Sequence, residues 1–228
     1  MTTFWKRLRY YGIGFGIGCI FVFFFFQNRA CSWLPDNRIK NSILDRTIVI
    51  QEDESDLLKS KGIKDDEIIE ILNSGKINFK LSDKNSESKV YLLYKDDLKL
   101  FFTLPEESYI SEVKIANVAV SKIKNSTTGM GRFIHFPNEE NLVYVDSLSI
   151  LSCQQAEIGM TKNQDILKNL KKNGTIDFSK TNFNGRPKPE HYINFSDSLG
   201  RKIGAKSIWY KNRITIFEFN LPFETTCN

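Results

Sequence analysis

Few side chains in this sequence have the type and spacing of reactive groups. Two histidines, His135 and His191, occur in 228 residues. Neither belongs to an HxxH or HExxH arrangement, so the ligand pattern of a metal-activated water is missing. Of the four cysteines, Cys19 lies inside an apolar run, while Cys31, Cys153 and Cys227 are far apart and lack the CxxC pairs of a structural zinc site. One disulfide between two of those three is open to an exported domain. Cys153 with His191 as its base would give a thiol nucleophile, because such partners meet in space rather than in sequence, but no flanking signature accompanies them. An RNase-like site would gather His191, Arg201 and Arg213 on extended segments. Asp177 follows Gly174 at the entry to such a segment, where an aspartate ordinarily accepts turn amides. Lys168, Lys171 and Lys172 close a helical pattern and read as a solvated face favoured by the helix dipole. No catalytic motif emerges, and the residues imply no cofactor and no metal.

The elements that must position these groups begin with an anchor. Residues 10–26 contain no charge and no proline, and they follow the basic tip Lys6-Arg7-Leu8-Arg9. About 17–20 apolar residues cross a bilayer as a helix, so residues 10–27 read as a transmembrane helix behind a cytoplasmic tip, residues 1–9. The next residues, Gln27-Asn28-Arg29-Ala30-Cys31, offer neither a small-residue cleavage site nor a lipoprotein box, which favours an uncleaved signal anchor. Trp5, Tyr10, Tyr11 and Trp33 fit interfacial aromatic belts. Lys6, Arg7 and Arg9 form a more compact cluster than Arg29, Arg38 and Lys40, which places the N-terminus in the cytoplasm and the remainder in the periplasm. Gly12 with Gly16, and Gly14 with Gly18, are GxxxG pairs that let helices approach closely, so these four glycines are candidates for helix packing in an oligomer.

The net charge is +5, and Lys6, Arg7 and Arg9 account for three units of that excess. The rest of the chain is near neutral and shows no nucleic-acid footprint. It also reads as duplicated. Ile68, Ile69 and Leu72 match Ile166, Leu167 and Leu170. Tyr91, Leu98 and Tyr109 match Tyr192, Leu199 and Tyr210. Each copy opens with a short strand, at 47–50 and 148–151. An amphipathic helix follows, starting in the second copy at a capping box Thr161-x-x-Gln164. Both helices end near a glycine, Gly75 or Gly174, as a left-handed cap prefers. Three alternating runs then form a meander, at 90–94, 98–103 and 112–118, and at 192–195, 205–210 and 213–219. The expected fold is α+β: a transmembrane helix followed by two tandem repeats, residues 28–120 and 138–228, joined through 121–137. Each repeat is a helical layer on a small antiparallel meander.

The leader RLRYYGIGFGIGCIFVFFFFQNRACSWLP with Asn37-Arg38, together with the ILxxLxxxGxIDF…Y pattern of residues 166–192, resembles an uncharacterised family of Bacteroidota-type single-pass envelope proteins. That family carries a repeated domain of unknown function. The resemblance spans nearly the whole chain and implies an envelope location without naming an activity. The helix-then-meander order is also similar to compact RNase toxins, at the level of fold alone. The resulting expectation is a membrane-anchored periplasmic interaction protein, an accessory or scaffolding subunit of an envelope complex. Its partners would be the lipid bilayer and another inner-membrane protein. A tethered ligand sensor, with a small molecule between the copies, and a degenerate hydrolase are the alternatives.

Overall fold

In the computed structural model, residues 2–26, 34–137 and 140–227 are described. Cys31, Arg29 and Trp33, with the rest of the segment 27–33 read as lacking a cleavage site, lie outside them. The chain divides into two units, residues 1–41 and 42–228. In chain order the elements are α1 (Thr2–Phe26), α2 (Pro35–Leu44), β1 (Thr47–Gln51), α3 (Glu52–Ser60), α4 (Asp65–Ser74), β2 (Lys76–Asp83), β3 (Ser88–Lys95), β4 (Leu98–Pro105) and β5 (Ile110–Ile115). A 3-10 turn at Val120–Lys122 precedes β6 (Met130–His135), β7 (Val143–Val145), α5 (Ser149–Glu157), α6 (Asn163–Asn173), β8 (Thr175–Asn182), β9 (Glu190–Ser196), β10 (Lys202–Tyr210) and β11 (Arg213–Asn220).

The first unit is dominated by α1. This helix already begins at Thr2, so Lys6, Arg7 and Arg9 are turns of the same helix as the apolar run, and Gly12, Gly14, Gly16 and Gly18 add no apolar side chain to it. Among the described residues no helix is long and apolar enough to cross a membrane. The transmembrane helix expected over 10–27 is overturned on that ground.

The second unit is built on one mixed sheet of 11 strands in the order β2-β3-β4-β5-β1-β6-β8-β9-β10-β11-β7. Two tandem repeats, each with its own small meander, are therefore not what forms. The chain does make similar moves on both sides of β6: β1 returns parallel to β5, and β7 returns parallel to β11. Yet β6 pairs antiparallel with β1 on one side and β8 on the other, so the hydrogen-bonded ladder never breaks. The supposed junction 121–137 thus contains a central strand. Its inward positions are Gly131 and Phe133, and a glycine at a buried site hides the apolar alternation that marks a strand.

Register assigns the faces. Glu112 pairs with Val49, and Val49 with Phe133. A Cβ added to Gly131 would touch Val49, Phe178 and Ile176, and Ile176 pairs with Ile193. These residues share one face, and Ile166, Leu167 and Leu170 of α6 join the same buried cluster. Arg132, between Gly131 and Phe133, points the other way, where it bonds Ser55 of α3 and Asp65 of α4. The pair α3–α4 and the helix α6 therefore cover opposite faces of the sheet. On β3 and β4, Val90, Leu92 and Phe101 are buried beneath Ala116, Val120 and Ile123.

Smaller expectations also change. Residues 148–151 open α5 rather than a strand, with Leu148 54% exposed, and the parallel edge strand is Val143–Val145. The start of α6 is Asn163, and Lys162 caps it without a side-chain bond, so Thr161 is not a capping residue. Gly75 and Gly174 end their helices in extended conformation, φ −70° in both, instead of left-handed. Glycine is needed there for close approach: a Cβ would lie 2.5 Å from the Ile71 carbonyl at Gly75, and 2.5 Å from that of Leu170 at Gly174.

Candidate functional site

The residues singled out for catalysis do not meet. His191, on β9, is 3% exposed, and its Nε2 lies 3.1 Å from Ser108 Oγ. The Trp209 ring meets the imidazole edge-on at 6.2 Å. Burial pushes the imidazole pKa down to about 3, so the ring is neutral at pH 7. A general base works best with a pKa near the working pH. The Ser108–His191 pair is thus a hydrogen bond rather than a nucleophile with its base. Arg201 is engaged elsewhere, by Asp197 Oδ2 at 2.6 Å, the Glu157 carbonyl at 3.2 Å and the Phe223 ring at 4.0 Å. Arg213 donates to Thr215 Oγ1 at 3.0 Å and covers the Tyr144 ring at 4.8 Å. The three residues share no partner.

Cys153 is bonded to Cys227 and offers no thiolate to His191. Glu157 stands beside this disulfide, with ligand atoms of all three residues within 4.8 Å of one another, but the two sulfurs are consumed in their own bond. His135 Nε2 is 3.1 Å from the Leu44 carbonyl. Asp177 Oδ1 accepts from the amides of Ser179 and Lys180 at 3.0 and 3.2 Å. Asn78 Oδ1 does the same for Lys80 and Leu81 at 3.1 and 3.2 Å. The acid is a turn former that an amide replaces. Lys168, Lys171 and Lys172 are solvent-exposed. Gly12, Gly14, Gly16 and Gly18 lie along α1 with nothing within 4 Å of a Cβ built at any of them.

What the folded unit does build is a cavity of about 350 Å³ beside β5, β8 and β9. Its apolar wall is Pro105, Ile110, Phe178, Phe183 and Pro189. Its polar lining includes Ser88, Ser108, Glu112, Asn125 and His191, with Glu87, Glu106 and Glu107 also contributing. Glu112 is buried and fully engaged. Its Oε1 accepts from the Ser126 amide at 2.8 Å, and its Oε2 accepts from Ser126 Oγ at 2.5 Å and lies 3.1 Å from Lys114 Nζ. This network ties the segment before β6 to β5. Arg46 fixes the other rim by donating to the carbonyls of Pro105 and Ser108. Burial lowers the Arg46 pKa, while Tyr109 and Asp45 pull it upward.

Two polar atoms of the lining residues are buried without a partner: Asn125 Oδ1 and His191 Nδ1. Asn125 Nδ2 is spent on Ser88 Oγ at 2.9 Å. Buried polar atoms are nearly always satisfied, so orphans beside a cavity call for an explanation. Sequence reasoning singled out His191, for another role, and passed over Ser108, Glu112 and Asn125. One signal was present: Glu112 and Lys114 place two charges within the six residues of β5. No known protein family, curated protein or solved structure matches the chain.

Proposed function

We propose that the protein is an exported interaction protein that docks through α1 on an envelope assembly, and whose unit 42–228 serves that complex as an accessory or scaffolding subunit. The observation that carries this reading is the surface of α1. Tyr11, Ile13, Phe15, Ile17, Ile20 and Phe21 are 78, 52, 76, 51, 58 and 60% exposed. Those positions cover most of the helix surface but not the side that carries Gly12 and Gly16, and so many exposed apolar side chains on one element mark a surface that something covers. A partner helix of the assembly would cover it, with Gly12 and Gly16 on one side of α1 and Gly14 and Gly18 on the roughly opposite side as places of close approach. The Cys153–Cys227 disulfide supports export, because such bonds persist in oxidising compartments. A hydrolase reading gains nothing from the geometry, since its candidate residues are separately engaged.

The test is fractionation and mild-detergent affinity purification of the tagged full chain, beside a Phe15→Asp, Phe21→Asp variant. The native chain is expected in the membrane fraction together with a stoichiometric envelope protein, and the variant in the soluble fraction. Native chain recovered alone and soluble would overturn the proposal.

A further inference from the structure

We propose that the cavity beside β5, β8 and β9 binds a small organic cation: a protonated amine carried on an apolar body about the size of one ring. This inference goes beyond the interaction role and does not depend on what covers α1.

Charge sets the sign of the ligand. Four carboxylates line the cavity, those of Glu87, Glu106, Glu107 and Glu112, and no lysine or arginine does. Lys89 neutralises Glu106 at 2.7 Å, and Lys114 neutralises Glu112 at 3.1 Å. Glu87 and Glu107 are exposed at the mouth and form no ion pair among the described residues. Arg46 and Lys188 stand at the rim on the carbonyls of Pro105, Ser108 and Glu107, but neither forms an ion pair with Glu87 or Glu107 among the described residues, so an ammonium finds its counter-charge in those two carboxylates. His191 carries no charge against a cation at neutral pH, and its unpartnered Nδ1 accepts from an ammonium in the tautomer whose Nε2–H donates to Ser108 Oγ.

Hydrogen bonding points the same way. The orphaned Asn125 Oδ1 is an acceptor, so what completes it must bring an N–H or O–H. An ammonium has three such donors. A carboxylate or phosphate would instead set oxygen against oxygen. The body of the ligand is set by Phe178, Phe183, Pro105, Pro189 and Ile110, which offer ring faces and no further hydrogen bond from their side chains. The volume is at the lower end for small-molecule sites, which run from roughly 300 to 1,000 Å³.

The experiment is calorimetric titration of the full chain in mild detergent with three probes of one shape: 2-phenylethylammonium, 2-phenylethanol and 3-phenylpropionate. The ammonium is expected to bind saturably. The alcohol should bind about tenfold more weakly or worse, and the carboxylate should give no heat of binding. A Glu87→Gln, Glu107→Gln variant, altered only at exposed positions, should keep the native melting temperature. It should lose about fivefold or more in ammonium affinity while its affinity for the alcohol stays put. Asn125→Ala tests the acceptor in the same way. Equal affinity for the three probes, no saturable ammonium binding up to about 10 mM, or an unchanged ammonium affinity in the double glutamine variant would each overturn the proposal.

Discussion

Because burial holds the His191 imidazole at a pKa of about 3, against about 6.5 in an unfolded chain, unfolding takes up a proton when the pH lies between those two values. The folded-state pKa is the depressed one. Its stabilising contribution is therefore complete above about pH 6.5 and is lost progressively as the pH falls toward 3. Urea unfolding should show stability falling by about 2 kcal/mol between pH 7 and pH 5, and His191→Gln should flatten that slope. The carboxylates held below their ordinary range act under this window. Asp197 has its pKa lowered, as the bonds from Arg201 and Leu199 outweigh a burial effect that acts upward, and Glu157 has its pKa lowered by Thr226. Both matter only below about pH 4. Turn chemistry gives a second residue-scale prediction. Asn78→Asp and Asp177→Asn each preserve an oxygen that accepts two amides and should change stability by less than about half a kcal/mol, while alanine at either position should cost about 1 kcal/mol. Asp177 was legible in the sequence for this role because it follows a helix-ending glycine. His191 was legible only as a reactive type, since nothing in the string of residues reports that Trp209 and Ser207 surround it.

At the scale of elements, the alternating runs were readable and the strand joining them was not. β9, β10 and β11 lie close to where apolar alternation places them, while β3 and β4 are covered on both faces over four consecutive residues each and read as continuous apolar runs. β6 escapes the same reasoning because Gly131 occupies an inward site and Arg132 faces helices rather than water. That glycine is required for space: an added Cβ would fall 2.6 Å from Val49 Cγ1 and 2.9 Å from Phe178 Cε2. Gly131→Ala is expected to cost about 1–3 kcal/mol through overpacking, read by urea midpoint. Gly62 makes a useful contrast. Its φ is +73°, with nothing within 4 Å of an added Cβ, so Gly62→Ala should cost only about 1 kcal/mol from backbone strain. The helix starts were misread for a local reason. Thr161 has the capping pattern, but its chain position lies two residues before α6, and tertiary packing of Ile166, Leu167 and Leu170 decides where that helix begins.

For the whole of unit 42–228, a continuous ladder has a thermodynamic signature. Two independent repeats would melt as two bodies. One sheet sharing β6 should melt as one, with Trp209 fluorescence and far-ultraviolet circular dichroism following the same transition. The disulfide closes a loop across 74 residues, and Cys153→Ser should lower stability by about 4 kcal/mol in the chain-entropy view. A thiol reductant should lower the native protein to the level of the variant and leave the variant unmoved.

The pairing of β1 also dictates an order of events as the chain is made. Its parallel partner β5 begins at Ile110 and its antiparallel partner β6 at Met130, so Thr47–Gln51 waits for both flanks while some sixty to eighty residues emerge behind it. Partners so distant in the chain form late, after the loop-closure entropy has been met. If the protein is exported as proposed, a chain threading through its channel is thereby kept open until β6 has passed, and the Cys153–Cys227 bond comes later still, after β11 has left the channel. Stalled chains that stop short of Cys227 should migrate as reduced species on non-reducing gels, which makes the staple a chemical record that translocation of this unit was completed.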